Sequence, residues 1–161
     1  VLLVPPFFEN FGKRLVKSPK LYFADAGLAC FLLGIETEKQ LDASPFLGPV
    51  FEGYVASEIV KSQLNAGKRR EIYHFRDQKG LEVDFVVPTR EGKITLVEAK
   101  ATRTVRPELA RSLAALGVAA GGVDPPASFV VHRGSAAGLE TRALRPGVKS
   151  VPLPELLAAL R

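Results

Sequence analysis

The sequence predicts an α/β fold, in which helices pack against a central sheet. A helical pattern runs from Val50 to about Ala66 and ends at a glycine. Three short β-like runs, separated by turn residues, follow it. A second helical pattern covers 106–116, and the apolar run SFVVH comes after it. The predicted order is therefore helix, three strands, helix, strand, which suits one domain of a 161-residue chain with 47% hydrophobic residues.

The first 48 residues predict a small extended and helical appendage. LLV and KLYF are the strand candidates, because the prolines around them disfavour helix. Asp25 is the expected N-cap of a short apolar helix, AGLACFLL. Residues 36–49 are polar and contain two prolines, so we expect a loop there. We accordingly divide the chain into an appendage at 1–48 and a main domain at 49–161.

The three central runs predict an antiparallel meander. EIYHFR, LEVDFVV and ITLVEAK are separated by the turn sequences DQKG and TREGK. Beyond the helix at 106–116, we expect a loop over 117–127 and then the strand SFVVH. The tail predicts a weak strand near Lys149–Val151 and a last helix, PELLAAL.

Charged residues stand at the ends of two of these strands. Because strand side chains alternate between faces, Glu98 and Lys100 share one face of ITLVEAK. The same alternation places Asp84 on one face of LEVDFVV, with Val83 and Phe85 together on the other. A neighbouring hairpin strand can thus present Asp84 beside Glu98 and Lys100. Buried charges need partners or a metal, so this combination predicts a site.

These residue types suit metal-assisted hydrolysis of a phosphodiester. Carboxylate oxygens are hard ligands for Mg²⁺ or Mn²⁺, so Asp84 and Glu98 are candidate metal ligands. A metal activates bound water, and Lys100 is a candidate for stabilising the charged transition state. The alternative is an ion-paired cluster of Asp84, Glu98 and Lys100 on a solvated sheet edge, and spacing alone does not separate the two.

The helix at 50–66 adds an acidic candidate. Glu52 falls inside the apolar stripe defined by Phe51, Val55 and Ile59, so it needs a partner. Glu52 is therefore the preferred third metal ligand and catalytic carboxylate, and Glu58, at the edge of the stripe, is held in reserve. The alternative for Glu52 is a helix-start glutamate favoured by the helix dipole.

Basic residues flank this acidic region. The net charge is +5 and the sequence pI is about 9.5. The first basic cluster comprises Lys13, Arg14, Lys17 and Lys20, and the second comprises Lys68, Arg69 and Arg70. Basic surface near an acidic pocket suits nucleic acid, held by its backbone and cut at a metal. The alternative is an ordinary solvated surface.

Several classes of protein are disfavoured. The single cysteine, Cys30, excludes a disulfide framework and lies in an apolar run, where a buried thiol is expected. No apolar stretch approaches the ~20 residues of a membrane span, and no secretory signal is recognisable, so a cytoplasmic protein is expected. Methionine is absent even at position 1, which favours a piece of a longer protein.

Four segments together carry a family resemblance: KSPKLYFADAGLACFLLG, GPVFEGYVASEIVK, IYHFRDQKGLEVDFVV and LVEAKAT. They resemble the uncharacterised C-terminal domain that follows the AAA+ ATPase core in a large prokaryotic family. The match runs from about Val1 to Leu116. It implies a restriction-endonuclease-like fold of the PD-(D/E)XK superfamily, and an ATPase module upstream, from which 1–48 would be a remnant or linker. This chain contains no G-x-x-x-x-G-K-[ST] phosphate loop, so that module is not part of it.

The resemblance also implies the site positions. They are Glu52, Asp84, Glu98 and Lys100. Arg76 lies in the matching FR…KG stretch, where it is expected to contact a phosphate or to pair with Asp77 or Glu82.

Three functions follow as expectations. The first is a Mg²⁺- or Mn²⁺-dependent nuclease domain acting on DNA or, less favoured, RNA. The second is a catalytically silent module of the same fold that binds nucleic acid or a partner of the ATPase. The third is a structural domain that supports oligomerisation of the ATPase, including a homo-oligomer.

Overall fold

A six-stranded mixed sheet lies at the centre of the computed structural model, which describes residues 1–7, 18–89, 92–120, 125–134 and 141–160. The strands are β1 Leu2–Val4, β2 Lys20–Tyr22, β3 Tyr73–Arg76, β4 Glu82–Pro88, β5 Ile94–Lys100, β6 Ala127–His132, β7 Arg142–Arg145 and β8 Val148–Pro152. The helices are α1 Ala26–Leu32, α2 Glu38–Ala43, α3 Leu47–Asn65, α4 Arg111–Ala120, preceded by a 3₁₀ turn at Pro107–Ala110, and α5 Leu153–Ala159. The predicted α/β class is confirmed.

Strand pairing follows the predicted meander and then changes direction. The order across the sheet is β3-β4-β5-β6-β8-β7. Strands β3, β4 and β5 pair antiparallel, as the short turns between them require. Strand β6 pairs parallel with β5 because α4 carries the chain back across the sheet, and β8 is again parallel to β6.

Apolar side chains cover both faces of the sheet. One core joins α3 and α5 to the sheet through residues such as Ile59, Phe85, Val97 and Leu156. The other joins α4 to the opposite face through residues such as Leu113, Val83, Val86 and Leu96. The central strands are therefore buried on both sides, and the charged residues on them are confined to the strand ends.

A β-bulge in β4 overturns one sequence-based expectation. Tyr73 pairs with Val86 and Phe75 with Val83. Between these two pairs, β4 therefore contains one more residue than β3. Val83 and Phe85 were expected to share a face, but Val83 packs with α4 and Phe85 packs with α3. The extra residue interrupts the alternation at Asp84 and Phe85.

The N-terminal segment packs onto the same core as α3. Strands β1 and β2 form a separate antiparallel pair, as the sequence predicts. Leu2, Val4 and Tyr22 are buried in the core that contains Val55 and Ile59 of α3. The division at residue 48 stays a prediction, but contacts between the two parts are extensive on this face.

The sequence predicted the start of α1 correctly but did not predict α2. The Asp25 side chain caps α1 by accepting a hydrogen bond from Leu28 N at 2.9 Å, which confirms the predicted N-cap. The expected loop at 36–49 is wrong, because Thr37 and Gln40 form a capping box that starts α2, and α3 begins already at Leu47.

Two further expectations are corrected by the structure, and one strand was missed. Helix α4 continues to Ala120 instead of ending at residue 116, since Gly117 is accommodated inside it. Strand β7 was not predicted. Cys30 is partly exposed rather than buried, because α1 turns an apolar side to the surface, where Phe31 is 78% exposed.

Candidate functional site

Lys20 stands among three carboxylates that two elements of the main domain contribute. Its Nζ lies 2.8 Å from Glu52 Oε1, 2.7 Å from Glu82 Oε1 and 3.0 Å from Asp84 Oδ1. Glu52 comes from α3, whereas Glu82 and Asp84 come from β4. The lysine side chain is only 20% exposed. Burial alone would lower the pKa of Lys20, but the charges of Asp84 and Glu52 outweigh it and raise that pKa.

Tyr22 is a second hydrogen-bond donor to Glu52. Its hydroxyl donates to Glu52 Oε1, the oxygen that also accepts from Lys20. Lys20 and Tyr22 are two residues apart on β2, so the strand period presents both on one face. Burial and the charge of Glu52 raise the pKa of Tyr22, which keeps the hydroxyl protonated and able to donate. Burial and the nearby charge of Asp84 raise the pKa of Glu52.

Asp84 sits where the ladder between β4 and β5 stops. The paired residues end at Phe85 and Val97, next to the bulge. Beyond that point Asp84 Oδ2 accepts a hydrogen bond from Ala99 N at 3.0 Å, so the carboxylate takes the place of a backbone acceptor. Asp84 is only 6% exposed. The bulge, rather than simple alternation, thus brings Asp84 to both Lys20 and β5.

Glu98 and Lys100 form the second half of the site. Lys100 Nζ lies 2.6 Å from Glu98 Oε1, and the two residues share a face of β5. Glu98 is 7% exposed, and its Oε2 has no hydrogen-bond partner among the described residues. Burial first, and then the charge of Asp84, raise the pKa of Glu98 to about 7, although Lys100 opposes that shift. Asp84 therefore couples the two halves electrostatically.

The cluster carries an excess of negative charge. Its carboxylates are Glu52, Glu82, Asp84 and Glu98. Its cations are Lys20, Lys100 and the more exposed Arg76, whose Nε lies 3.7 Å from Glu82 Oε2. When every group is ionised, one negative charge is left over, and a further cation would be attracted to it.

His132 lies beside Lys100 on the neighbouring strand. The two residues are in register between β5 and β6. Its Nδ1 accepts from Gly134 N at 3.0 Å, which leaves the proton on Nε2. That nitrogen is buried and has no partner among the described residues, and burial lowers the pKa of His132.

The sequence-predicted site residues are only partly brought together. Glu52 and Asp84 meet through Lys20, and Glu98 pairs with Lys100. Glu58, held in reserve, pairs instead with Lys61 at 2.8 Å on the exposed side of α3. Lys20 had been counted with a basic surface cluster, and Tyr22 and Glu82 had not been singled out. The two-residue period of the strand KLYF could have identified Lys20, because a core-facing Tyr22 places Lys20 on the same face of the strand.

The predicted basic clusters contribute less to this site. Lys13, Arg14 and Lys17 lie outside the described residues. Arg69 and Arg70 are exposed beyond the C-terminal end of α3, and Lys68 Nζ reaches Leu160 O at 3.5 Å. The C-terminal end of α3, which precedes these residues, lies roughly 20 Å from Glu52 at 1.5 Å per residue. Arg76 makes the expected ion pair with Glu82.

The donor set fits a hard divalent cation in part. Within the described ranges, no three acidic, histidine or cysteine side chains are arranged to hold a metal ion. Asp84 and Glu98 nevertheless provide two buried carboxylates, and Glu98 Oε2 has no hydrogen-bond partner among the residues that the structure describes. Mg²⁺ is commonly held by one or two carboxylates, with waters completing its shell. Glu52 joins as a third ligand only if Lys20 withdraws.

Fold and site together define an α/β domain with a buried cluster of acidic residues and lysines where the β4–β5 ladder ends. The chain belongs to the family described as a domain of unknown function, DUF4143, whose model matches residues 47–156. Domains of this family are often found in ATPase-associated proteins. A second family model, also described as a domain of unknown function, DUF8612, matches residues 1–39.

Two curated relatives come from mycobacteria. They are the uncharacterised protein Mb2031c of Mycobacterium bovis and the uncharacterised protein Rv2008c of Mycobacterium tuberculosis, and each is 37% identical over 108 residues. The match covers 67% of this chain but only 23% of each relative, so the chain spans about a quarter of their length. No solved structure gives a significant match.

Within the part of the chain that the structure describes, no helix has the length and apolar character needed to cross a bilayer.

Proposed function

We propose that this chain is a metal-dependent, nuclease-like domain with a restriction-endonuclease-like core, which hydrolyses phosphodiesters of nucleic acid, DNA in preference to RNA. One observation carries the proposal. Glu98 is a buried carboxylate next to the charge of Asp84, with one oxygen paired to Lys100 and the other without a partner among the described residues. A second cation would stabilise that carboxylate further, and the lysine beside it suits phosphoryl chemistry.

The order of elements supports the same core. Helix α3, the meander β3-β4-β5, helix α4 and the parallel strand β6 occur in the sequence that the family resemblance implies. Asp84 and Glu98 stand on adjacent strands of that meander, and Lys100 follows Glu98 by one strand period.

Each side chain has a distinct role in this proposal. Asp84 and Glu98 would hold Mg²⁺ or Mn²⁺, which when bound supplies charge neutralisation at the phosphate and a more acidic water. Lys100 orients the attacking water and offsets negative charge on the phosphoryl oxygens. Glu52, held by Tyr22, is a third ligand or a base for the water. Arg76, more than half exposed at the rim, contacts the backbone of the nucleic acid.

The whole protein is proposed to carry an AAA+ ATPase module upstream of this domain. The family's frequent occurrence in ATPase-associated proteins and the much greater length of the relatives support that arrangement. Nucleic acid and the ATPase module are then the expected partners of the domain.

Nicking of supercoiled plasmid and branched DNA in Mn²⁺ tests the proposal. Wild-type chain should cut, and Asp84→Asn, which keeps the size and the acceptor for Ala99 N, should not. A lack of cutting by the wild-type chain and by the longer protein that contains it would refute the nuclease activity.

A catalytically silent, nucleic-acid-binding module of the same fold is the second candidate. Lys20 favours it, because its ammonium already neutralises the carboxylates on which a metal would depend. Such a module would bind DNA with equal affinity in the presence and absence of Mn²⁺, and Asp84→Asn would leave that affinity unchanged.

A further inference from the structure

The ammonium of Lys20 is fully engaged. It has three N–H donors, and the carboxylates of Glu52, Glu82 and Asp84 lie within 3.0 Å of Nζ. These partners are 32 and more residues away in sequence and belong to a different part of the fold. Lys20 therefore ties the N-terminal segment to the acidic cluster.

Its position is that of a bridging cation. A divalent ion held by Asp84, or by Asp84 and Glu52 together, would contact carboxylates that Lys20 already contacts. Two cations at neighbouring positions repel each other, and in a partly buried site water screens that repulsion poorly. Binding of a metal ion to Asp84 and binding of Lys20 to Asp84 therefore oppose each other.

The lysine is also able to leave. It is anchored on a three-residue strand that pairs with β1, and its long side chain retains 20% exposure. Rotation of the side chain would let the ammonium leave Asp84 while it keeps its contact with the rim carboxylate of Glu82, which is 35% exposed.

We propose that Lys20 is a built-in counter-ion of the site. Its ammonium stabilises the carboxylates when no metal is bound, and it must withdraw from Asp84 for a divalent cation to bind. The N-terminal segment thereby sets the metal affinity of the main domain. This inference rests on the proposed metal site at Asp84 and Glu98.

The test measures Mn²⁺ affinity by isothermal titration calorimetry for wild type and Lys20→Met. Methionine keeps the length and apolar stem of the side chain but removes the charge. The variant should bind Mn²⁺ at least about tenfold more tightly, since a neighbouring positive charge is gone. Its melting temperature without metal should be lower, and Mn²⁺ should raise it by more than in wild type.

Lys61→Met is the matched control. Lys61 is also an ion-paired lysine, but its partner is Glu58 on the exposed side of α3. This change should leave the affinity for Mn²⁺ as in wild type. A similar gain of affinity in both variants would point to net charge rather than to the position of Lys20, and would overturn the inference.

The outcomes separate the inference from the proposed function. If neither wild type nor Lys20→Met binds Mn²⁺, the metal site fails and the inference fails with it. If both bind equally, or the variant binds more weakly, the metal site stands and the counter-ion role is refuted.

A second measurement on wild-type protein covers the case in which Lys20→Met does not fold. The rate of acetylation of Lys20 by acetic anhydride, followed by mass spectrometry, should rise severalfold when Mn²⁺ is added, because the ammonium is released from its carboxylates. The rate at Lys61 serves as the internal reference. An unchanged or reduced rate at Lys20 with Mn²⁺ bound would overturn the inference.

Discussion

Lys20 Nζ lies 3.0 Å from Asp84 Oδ1, although 64 residues separate them in the chain. Asp84 reaches this position because a bulge interrupts β4, and Lys20 reaches it because β2 packs beside α3. The contact joins the N-terminal segment to a buried carboxylate of the main domain. The response of the protein to metal and to pH depends on the state of this cluster.

Metal binding should stabilise the fold through Asp84. A cation that binds only the native state adds about 2.7 kcal/mol at a concentration one hundred times its Kd. Mn²⁺ should therefore raise the Tm of wild type and leave that of Asp84→Asn almost unchanged. Differential scanning fluorimetry over a range of Mn²⁺ concentrations measures both. Equal shifts in the two proteins would place the metal elsewhere.

Stability without metal should fall as the pH rises towards neutrality, because of Glu98. Its folded pKa of about 7 exceeds the ordinary glutamate value of 4.5, so the folded state binds the proton more tightly. The contribution is complete below pH 4.5 and is lost as the pH rises through about 7. The difference in pKa corresponds to about 3 kcal/mol.

Glu98→Gln isolates this contribution. Glutamine keeps the shape of the side chain but cannot ionise, so the Tm of wild type should drop relative to that of the variant between pH 5 and 8. Urea unfolding at each pH, with a chelator present, gives the free energies. A constant difference between the two proteins over this range would mean that Glu98 does not titrate there.

Replacement of Phe85 by alanine should destabilise the fold far more than the same replacement at the exposed Phe31. Phe85 is fully buried between β4 and α3, so Phe85→Ala should cost roughly 3–5 kcal/mol. Phe31 is 78% exposed on α1, and Phe31→Ala should change the free energy of unfolding by less than about 0.5 kcal/mol. Urea titrations of both variants compare them directly, and similar costs would contradict the described packing.

Nucleic-acid affinity should depend on salt through the exposed arginines. If Arg69 and Arg70 contact phosphates, the double alanine variant should lower the slope of log K against log salt by about 2. Lys39→Ala, an exposed charge outside both basic clusters, should leave the slope unchanged. Fluorescence anisotropy with duplex and branched DNA provides the measurement. Absence of binding at low salt would favour a structural role for the domain.

The sequence predicted the central strands well because their signals are local. Val, Ile and Phe in short runs, with turn residues between them, define the meander from β3 to β5 without knowledge of the rest of the chain. The extent of α3 and the start of α2 were missed, because a capping box at Thr37 outweighed the loop-like composition around it.

The site was harder to predict because tertiary contacts decide it. Glu98 and Lys100 follow from the strand period, but Asp84 is placed by a bulge that alternation does not foresee. Lys20 belongs to a basic run in sequence, and only the packing of β2 against α3 turns it towards carboxylates that lie far along the chain. A sequence pattern that spans only neighbouring residues cannot predict a contact between residues so far apart in the chain.

Replacement of Lys100 should separate cleavage of the phosphodiester from the binding of metal and DNA. Carboxylates alone suffice to bind a cation, and a lysine beside them only increases the repulsion that the cation meets. A site that merely binds metal therefore gains no metal affinity from Lys100, whereas a hydrolytic site gains a charge that offsets the developing negative charge on phosphate. That charge is worth roughly 10²–10³ in rate. Lys100→Ala should accordingly leave the affinities for Mn²⁺ and DNA intact, or strengthen metal binding slightly.

The rate of plasmid nicking in Mn²⁺ should fall in Lys100→Ala by that factor. Lys61→Ala, which removes an ion-paired lysine elsewhere on the surface, is the control and should cut at the wild-type rate. Calorimetry on the same preparations shows whether any loss arises from metal binding. A variant that binds Mn²⁺ normally and cuts as fast as wild type would exclude Lys100 from the chemistry. Since Lys100 is paired directly with Glu98, that result would reduce the lysine to a counter-ion for a buried acid.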